Sequence, residues 1–178
     1  IDLLYWMVGD VATVQSFTRN FQHHNVTEFE DTGVVVMEFA NGALGSINFT
    51  TNACTRNMEG SLTLFGENGT VKIGGQYLNE LEYQDIRGYS IENLPRGNPP
   101  NRYGHYVGSM SNHRMVYENV AQVLTQDGVI ATNGFEGLKT VEMIEKIYLA
   151  AEQNNVFRGV KNVPTISFTE TAQVRRAG

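Results

Sequence analysis

Hydrophobic and polar positions alternate along the first half of the chain, as they do in half-buried β-strands. The predicted strands are residues 11–21, 31–39, 44–51, 61–65, 70–73 and 80–85. Asn41-Gly42 separates two of these runs, and this dipeptide is a strong signal for a tight β-hairpin. Gly66 and Gly69 lie in the turn of a second predicted hairpin. The pattern predicts a mainly antiparallel sheet of five or more strands.

The same alternation assigns residues to the two faces of single strands, because successive side chains point to opposite sides. In the strand after Asn41-Gly42, one face is predicted to carry Gly45, Ile47, Phe49 and Thr51, and the other Ser46, Asn48 and Thr50. In the run 80–85, the predicted solvated face consists of Glu80, Glu82 and Gln84. Residues 28–31 contain three carboxylates, which we interpret as a solvated turn at a strand entrance.

Apolar residues recur at helical spacing in three further segments. Residues 1–9 predict a helix that ends at Gly9. A second helix follows Ser111 or Asn112 as its cap, with an apolar stripe of Val116, Val120, Val123 and Leu124. The last helix has Asn133 three residues before Glu136, a variant of the capping box. Its predicted stripe is Leu138, Val141, Ile144, Ile147, Tyr148 and Ala151.

Residues 87–105, between the strands and these last two helices, are rich in Gly, Pro, Asn and Arg and predict a long loop. Strands followed by helices indicate an α+β fold: an open-faced, mostly antiparallel β-sheet with helices packed on one face. The first helix has no capping residue or initiator methionine before it. This start predicts that the chain is part of a longer protein.

Composition narrows the class of protein. The chain has 178 residues, of which 41% are hydrophobic and 18% charged, as expected of one ordered domain. The net charge of -6 argues against a nucleic-acid partner, and no apolar run is long enough to predict a membrane span. Cys54 is the single cysteine and no secretory signal is visible, so we expect a cytoplasmic protein.

Two groups of polar side chains are candidates for ligand binding. The first follows a predicted strand and consists of Asn52, Thr55, Arg56 and Asn57. Arg56 could bind a carboxylate or phosphate through two hydrogen bonds, although an ordinary polar connection fits equally well. The second group is Arg102, Tyr103, His105, Tyr106 and His113, whose aromatic and cationic groups suit a polar ring such as a sugar. A capping or packing role is the alternative for His113.

Six short segments occur in an order that resembles one enzyme family. They are residues 1–6 with Gly9, residues 30–32, Phe39-x-Asn41-Gly42-Ala43-Leu44-Gly45, residues 59–62, Gly66-x-x-Gly69-Thr70-Val71 and Asn133-Gly134-x-Glu136-Gly137. Together they resemble the glucose–fructose oxidoreductase/inositol dehydrogenase/rhizopine catabolism (Gfo/Idh/MocA) family. The resemblance covers residues 1–157 and implies the family's C-terminal domain, which shapes the substrate pocket and pairs subunits through its open sheet face. Residues 158–178 would be a tail or an edge strand.

The resemblance implies an NAD(P)-dependent oxidoreductase whose N-terminal Rossmann domain is absent from this chain. The family's glycine-rich loop, its lysine and its Asp-x-x-x-His pair would all lie before Ile1. We therefore expect no catalytic and no cofactor-binding residue in this chain, which should be inactive alone. The choice between NAD and NADP, and between a dimer and a tetramer, stays open.

The family's substrate-facing strand end matches residues 52–57, which favours Arg56 and Asn57 as substrate-binding residues. The segments 56–60 and 74–79 are similar to bacterial dehydrogenases that oxidise the 3-hydroxyl of a UDP-N-acetylhexosamine or its uronic acid. A nucleotide sugar is therefore the leading substrate. The alternative is a non-catalytic sheet domain for binding or assembly.

Overall fold

A short helix opens the computed structural model, which describes residues 1–54, 57–104 and 106–156. Helix α1 spans Asp2–Val8 and ends at Gly9, as predicted. Gly9 has a φ of 105°, a value that favours glycine, and its N–H donates to the carbonyl of Tyr5 at 2.8 Å. The predicted tail, residues 158–178, lies outside the described residues.

Sheet A follows α1 and is antiparallel, with its second strand in the middle. It consists of β1 (Val11–Arg19), β2 (Thr32–Phe39) and β3 (Leu44–Thr50). In its register Val35 lies opposite both Ser16 and Ile47. The hairpin between β2 and β3 turns at Asn41 and Gly42, and the φ of Gly42 is 85°. The Asn-Gly signal therefore predicted this turn correctly.

The two faces of sheet A differ in burial. On β2, Val35, Met37 and Phe39 are buried, whereas Val34 and Val36 on the opposite face are 46% and 50% exposed. On β3 the predicted alternation in burial is confirmed as far as Asn48, with Gly45 and Ile47 partly buried and Ser46 and Asn48 exposed, whereas the end of the strand, from Phe49 on, is exposed. One face of the sheet is thus covered and the other is open, which confirms the predicted fold class.

Helix α3 (Gly134–Val156) covers the buried face of sheet A. Met143 and Ile147 pack against the buried residues of β2. Two polar contacts join the same surfaces: Oγ of Ser16 donates to the carbonyl of Ile147 at 2.6 Å, and Nζ of Lys146 donates to the carbonyl of Val11 at 2.6 Å. Because these bonds satisfy polar groups next to the core, they fix α3 at one position on the sheet.

The buried stripe of α3 differs from the predicted one. The helix buries Met143, Ile147, Ala150 and Ala151, whereas Leu138 and Val141 are 52% and 59% exposed. Apolar residues occur on nearly the whole circumference of this helix. Hydrophobic periodicity therefore could not select the face that meets the sheet.

Sheet B is a second antiparallel sheet. It consists of β4 (Leu62–Gly66), β5 (Gly69–Gly74) and β6 (Glu80–Ile86). Lys72 and Ile73 of β5 lie opposite Tyr83 and Leu81, so Glu82 is an extra residue, a β-bulge, in β6. A bulge reverses the alternation of the two faces beyond it. Tyr83 is therefore 52% exposed, and Gln84, which was predicted to be solvated, is partly buried. The predicted solvated face of β6 is therefore wrong beyond the bulge.

The segment predicted as a long loop contains a strand. Sheet C is a hairpin of β7 (Pro100–Tyr103) and β8 (Tyr106–Met110), and helix α2 (His113–Gln126) follows it. A strand of four residues is too short to show a hydrophobic period, so the sequence did not reveal β7. Helix α2 buries none of its residues. None of the described helices combines the length and the apolar character of a membrane span.

The described strands divide among three sheets, whereas the hairpins predicted a single sheet of five or more strands. The ladder stops at the end of β3. There the N–H of Asn52 donates to Oγ1 of Thr50 at 3.1 Å rather than to a neighbouring strand. A side chain that captures a backbone donor competes with sheet pairing and ends the strand.

Candidate functional site

Asn52 lies just beyond the end of β3, where the sequence predicted a ligand-binding side chain. Its Nδ2 donates to Oγ1 of Thr32 at 3.1 Å, and the hydroxyls of Thr32 and Thr50 are 3.0 Å apart across the ladder. Its Oδ1 is buried and has no hydrogen-bond partner among the described residues. Asn52 is therefore fixed to the end of sheet A, with one acceptor atom unused.

Asp31 is the buried anchor of this strand end. It is 1% exposed, and its Oδ2 accepts hydrogen bonds from the N–H groups of Phe21 and Gln22 at 2.9 and 2.8 Å. Burial acts to raise the pKa of Asp31, but these two bonds, with the neighbouring polar side chains of Asn52 and Thr32, hold that pKa well below its usual range. The prediction of a solvated acidic turn is thus wrong for Asp31, which is ionised and buried.

Asp31 also joins the loop after β1 to the strand end. Nδ1 of His23 lies 3.3 Å from its Oδ2, and the N–H of His23 donates to Oδ1 of Asn20 at 2.9 Å. The backbone N–H of Thr51 donates to the carbonyl of Asp31 at 2.8 Å. The residues that lead into Asn52 are therefore held by backbone and side-chain bonds to one buried carboxylate residue.

Asn57, the second predicted residue at this strand end, is exposed, and Thr55 and Arg56 lie outside the described residues. The carbonyl of Asn57 accepts a hydrogen bond from Nε2 of Gln76 at 3.1 Å. The N–H of Gly60 donates to the carbonyl of Gly75 at 3.2 Å. The segment 57–60 therefore runs along residues 75–79, which we call the β5–β6 turn.

The same β5–β6 turn contacts the hairpin of sheet C. The hydroxyl of Tyr77 donates to the carbonyl of Val107 at 3.2 Å. Val107 lies opposite Arg102, and Tyr103 is the last residue of β7 and is 64% exposed. The predicted residue His105 lies outside the described residues. Tyr77 thus holds the hairpin that presents Tyr103.

His113 is the first residue of α2 and is exposed. Asn112 precedes it as the cap of the helix but makes no side-chain capping bond. Nδ2 of Asn98 donates instead to Oδ1 of Asn112 at 2.9 Å and to the carbonyl of Ser111 at 3.2 Å. The start of α2 is thereby tied to the loop before sheet C, close along the chain to Tyr103.

The structure connects Asn57, from the first predicted group, with the hairpin of Tyr103, from the second, and leaves Asn52 apart. Asn57 and the hairpin of Tyr103 contact the same β5–β6 turn, through Gln76 and Tyr77 respectively. Asn52 makes its hydrogen bonds within sheet A. The sequence analysis included Gln76 and Tyr77 only within the resemblance of segment 74–79 and gave them no role, because a bond between residues far apart in the chain leaves no local pattern.

Residues 87–114 carry a local excess of positive charge, which the sequence analysis did not identify. Residues 87–114 contain four arginines and one glutamate, in a chain whose net charge is -6. Guanidinium groups bind phosphates and carboxylates well, because two parallel hydrogen bonds match their geometry. A segment-by-segment charge count would have found this stretch. It surrounds Tyr103 and reaches the start of α2.

The described residues do not fit a nicotinamide dinucleotide or a metal ion. Their sheets are antiparallel, whereas dinucleotides bind at a glycine-rich turn between a parallel strand and a helix. The sequence contains no G-x-G-x-x-G motif. Within the described ranges, no three His, Cys, Asp or Glu side chains come together as metal ligands. A dinucleotide would need binding residues beyond those described.

Comparison with protein families gives the class of this sheet domain. A family model described as "Oxidoreductase family, C-terminal alpha/beta domain" matches residues 1–160. The chain therefore belongs to the Gfo/Idh/MocA oxidoreductase family and corresponds to its C-terminal domain. This confirms the resemblance found in the sequence. A search of curated proteins gave no match.

Solved structures agree with the family. The WlbA dehydrogenase from Bordetella pertussis, solved in complex with NADH and UDP-GlcNAcA, is 32% identical with a TM-score of 0.67, over 92% of this chain and 42% of that one. The WlbA dehydrogenase from Chromobacterium violaceum, also solved with NADH and UDP-GlcNAcA, is 29% identical with a TM-score of 0.64, over 86% and 41%.

A more distant neighbour shares the fold alone. Levoglucosan dehydrogenase in complex with NADH and levoglucosan is 17% identical, with a TM-score of 0.63, over 86% of this chain and 46% of that one. The chain thus spans less than half the length of these relatives.

Proposed function

We propose that this chain is the substrate-binding and oligomerisation domain of an NAD(P)-dependent dehydrogenase that oxidises a hydroxyl group of a nucleotide sugar. The carrying observation is its 32% identity, over 92% of its length, to a WlbA dehydrogenase solved with NADH and UDP-GlcNAcA. The leading substrate is a UDP-N-acetylhexosamine or its uronate, oxidised at C3. The cofactor would accept a hydride from that carbon, and the chain itself supplies the substrate contacts.

The proposed substrate-binding residues are Asn52, Arg56, Asn57, Tyr103, His105 and His113. Tyr103 offers an exposed aromatic ring on a hairpin, a surface on which a sugar or a base can stack. Asn57 is exposed beside the β5–β6 turn, where its amide is available to hydroxyl groups. Arg56 and His105 are proposed from the sequence, because they lie outside the described residues.

Charge supports an anionic substrate over a neutral sugar. UDP-GlcNAcA combines a diphosphate with a carboxylate, and residues 87–114 supply four arginines against one glutamate. Arg114 already pairs with Glu118 at 2.6 Å, whereas Arg102 lies on the hairpin of Tyr103. We therefore propose Arg102 as an additional contact for a negatively charged group of the substrate.

The open face of sheet A supports the proposed oligomerisation. Phe17, Val34, Val36 and Leu44 are all exposed there, Leu44 to 82%. A sheet face with this apolar content is expected to bind a second copy of itself. Light scattering should therefore detect a dimer or larger species, and Val36→Lys should shift it to monomer. A wild-type monomer at every concentration would contradict the proposed oligomerisation.

We also propose that the protein is cytoplasmic, where the free thiol of Cys54 would stay reduced.

The test uses the protein expressed from its full reading frame. Reduction of NAD and of NADP is followed with UDP-GlcNAcA, UDP-GlcNAc, the free sugars and myo-inositol as substrates. We expect turnover with a UDP-sugar and little with a free sugar. Asn57→Ala should raise KM for the UDP-sugar, whereas Asn25→Ala, at an exposed loop position, should not. Absence of both cofactor binding and turnover would favour the alternative, a non-catalytic sheet domain.

A further inference from the structure

The β5–β6 turn contacts two of the chain segments that carry proposed substrate side chains. Nε2 of Gln76 donates to the carbonyl of Asn57 at 3.1 Å, and the hydroxyl of the next residue, Tyr77, donates to the carbonyl of Val107 at 3.2 Å. The partners are 19 and 30 residues away along the chain. Two adjacent side chains therefore link a strand end to a separate hairpin.

The turn is itself braced. The N–H of Gly75 donates to Oε1 of Glu82 at 2.8 Å, and Oε2 of Glu82 lies 2.7 Å from Nζ of Lys72. Leu78 has a φ of 58°, a conformation that a residue with a side chain keeps only where its surroundings enforce it. The bulged residue Glu82 thus anchors the turn to sheet B, so Gln76 and Tyr77 extend from a fixed base.

Close packing on both sides of the β5–β6 turn also indicates that the turn is fixed in place. A Cβ atom placed on Gly60 would lie 3.4 Å from the carbonyl oxygen of Gln76, and one placed on Gly97 would lie 3.2 Å from Cβ of Asn79. The segment 57–60 and the loop before sheet C therefore pass directly against the turn. At Gly97 the absence of a side chain lets the two backbones approach, whereas the contact at Gly60 is of ordinary van der Waals length.

We infer that Gln76 and Tyr77 are positioning residues, which together fix the separation between Asn57 and the hairpin of Tyr103. This inference rests on the proposed function and deepens it. Gln76 acts through Asn57, and Tyr77 acts through the hairpin. A nucleotide sugar is long, so groups that hold its two ends bind it well only when their separation is fixed beforehand.

The first experiment removes one hydroxyl from the full-length enzyme. Tyr77→Phe should raise KM for UDP-GlcNAcA about three- to tenfold, as expected for one lost hydrogen bond, and change kcat less than about twofold. Tyr83→Phe is the matched control, because Tyr83 is exposed on the same sheet and its hydroxyl has no partner in the described part of the chain. A KM for Tyr77→Phe equal to that of the control would overturn the inference, as would a KM increase explained by a lower melting temperature.

The second experiment separates positioning from general structural support. Gln76→Ala should raise KM in the wild-type background and have little further effect when combined with Asn57→Ala. A positioning residue loses its influence once the side chain it positions is gone, so the two effects should not add. Fully additive effects on KM would show that Gln76 does not act through Asn57.

Amide hydrogen exchange tests the inference without substrate. In the full-length protein, Gln76→Ala should speed exchange at Gly60, and Tyr77→Phe should speed exchange in β8, while Tyr83→Phe leaves both unchanged. If exchange increases as expected but the wild type oxidises no nucleotide sugar, the proposed function fails and the positioning role stands. Unchanged exchange at both segments would overturn the positioning role itself.

Discussion

Sheet A with α3 and the segment 57–130 are held together in different ways. Every buried hydrophobic residue in the described parts of the chain belongs to the first region: Val11, Val35, Met37, Phe39, Met143, Ile147, Ala150 and Ala151. The second region contains sheets B and C and helix α2. Its apolar side chains, such as Leu62 and Val71, are at most partly buried, and Lys72 forms ion pairs with Glu59 at 3.5 Å and with Glu82 at 2.7 Å. Full apolar burial in the described residues is therefore confined to the first region, and the second has only partly buried apolar side chains together with these ion pairs.

This difference separates the residues that stabilise the fold from most of those that we propose bind the substrate. Asn57, Tyr103 and His113 all lie in the second region, where a side chain can change without disturbing the core. The first region contributes Asn52, which is fixed through Asp31 and the end of sheet A. The first region is thus a stable platform. Under the proposed function, the second is the region whose side chains would differ with the substrate.

The largest expected difference in stability between the two regions is that between two phenylalanine-to-alanine variants. Phe39 is 2% exposed and packs in the core, so Phe39→Ala should lower the free energy of unfolding by about 3–5 kcal/mol. Phe65 of sheet B is 82% exposed, and Phe65→Ala should cost less than about 0.5 kcal/mol. Urea unfolding followed by circular dichroism measures both. Equal losses would break the distinction between the regions.

A smaller effect with a definite pH dependence is expected at Asp31. Its pKa lies well below the value of about 3.9 expected in the unfolded chain, so its stabilisation is complete above that pH and is lost as the pH falls towards the folded pKa. Asp31→Asn should therefore lower the urea midpoint at neutral pH, and the difference from wild type should narrow below about pH 4.

The exposed neighbour Glu28 provides the control for this prediction. Glu28→Gln removes the same charge from the same turn but no buried hydrogen bonds, so it should leave the urea midpoint nearly unchanged. A loss for Asp31→Asn that stays constant from neutral to acidic pH would contradict the ionised, hydrogen-bonded state of Asp31.

Local signals allowed much of the fold to be predicted from the sequence. The end of α1 at Gly9 and the hairpin at Asn41-Gly42 each depend on a few adjacent residues, and both are confirmed. The bulge at Glu82 and the buried face of α3 depend instead on which elements meet in space. Those features were missed for that reason.

The candidate site shows the same limit. Residue type and position beside a strand end or a loop were enough to select Asn52, Asn57, Tyr103 and His113 as candidates. The buried state of Asp31 was missed, because an acidic turn in a sequence is ordinarily solvated. The contact of Gln76 with Asn57 was missed as well, since only the folded chain brings them together.

The smallest predicted effect compares the starts of α3 and α2. Oδ1 of Asn133 accepts the N–H groups of Phe135 and Glu136 at 2.9 and 3.1 Å, and Glu136 bonds back to the N–H of Asn133 at 2.9 Å, as the capping box predicted. Because α3 covers the core, Asn133→Ala should lower the free energy of unfolding by about 1 kcal/mol. Asn112→Ala removes no capping bond from α2, which buries no residue, and only the exposed bond from Asn98, so urea unfolding should show a loss below about 0.5 kcal/mol. If the two losses of unfolding free energy were equal, α2 would unfold as one unit with the core. Substitutions in the segment 57–130 would then affect the stability of sheet A and α3.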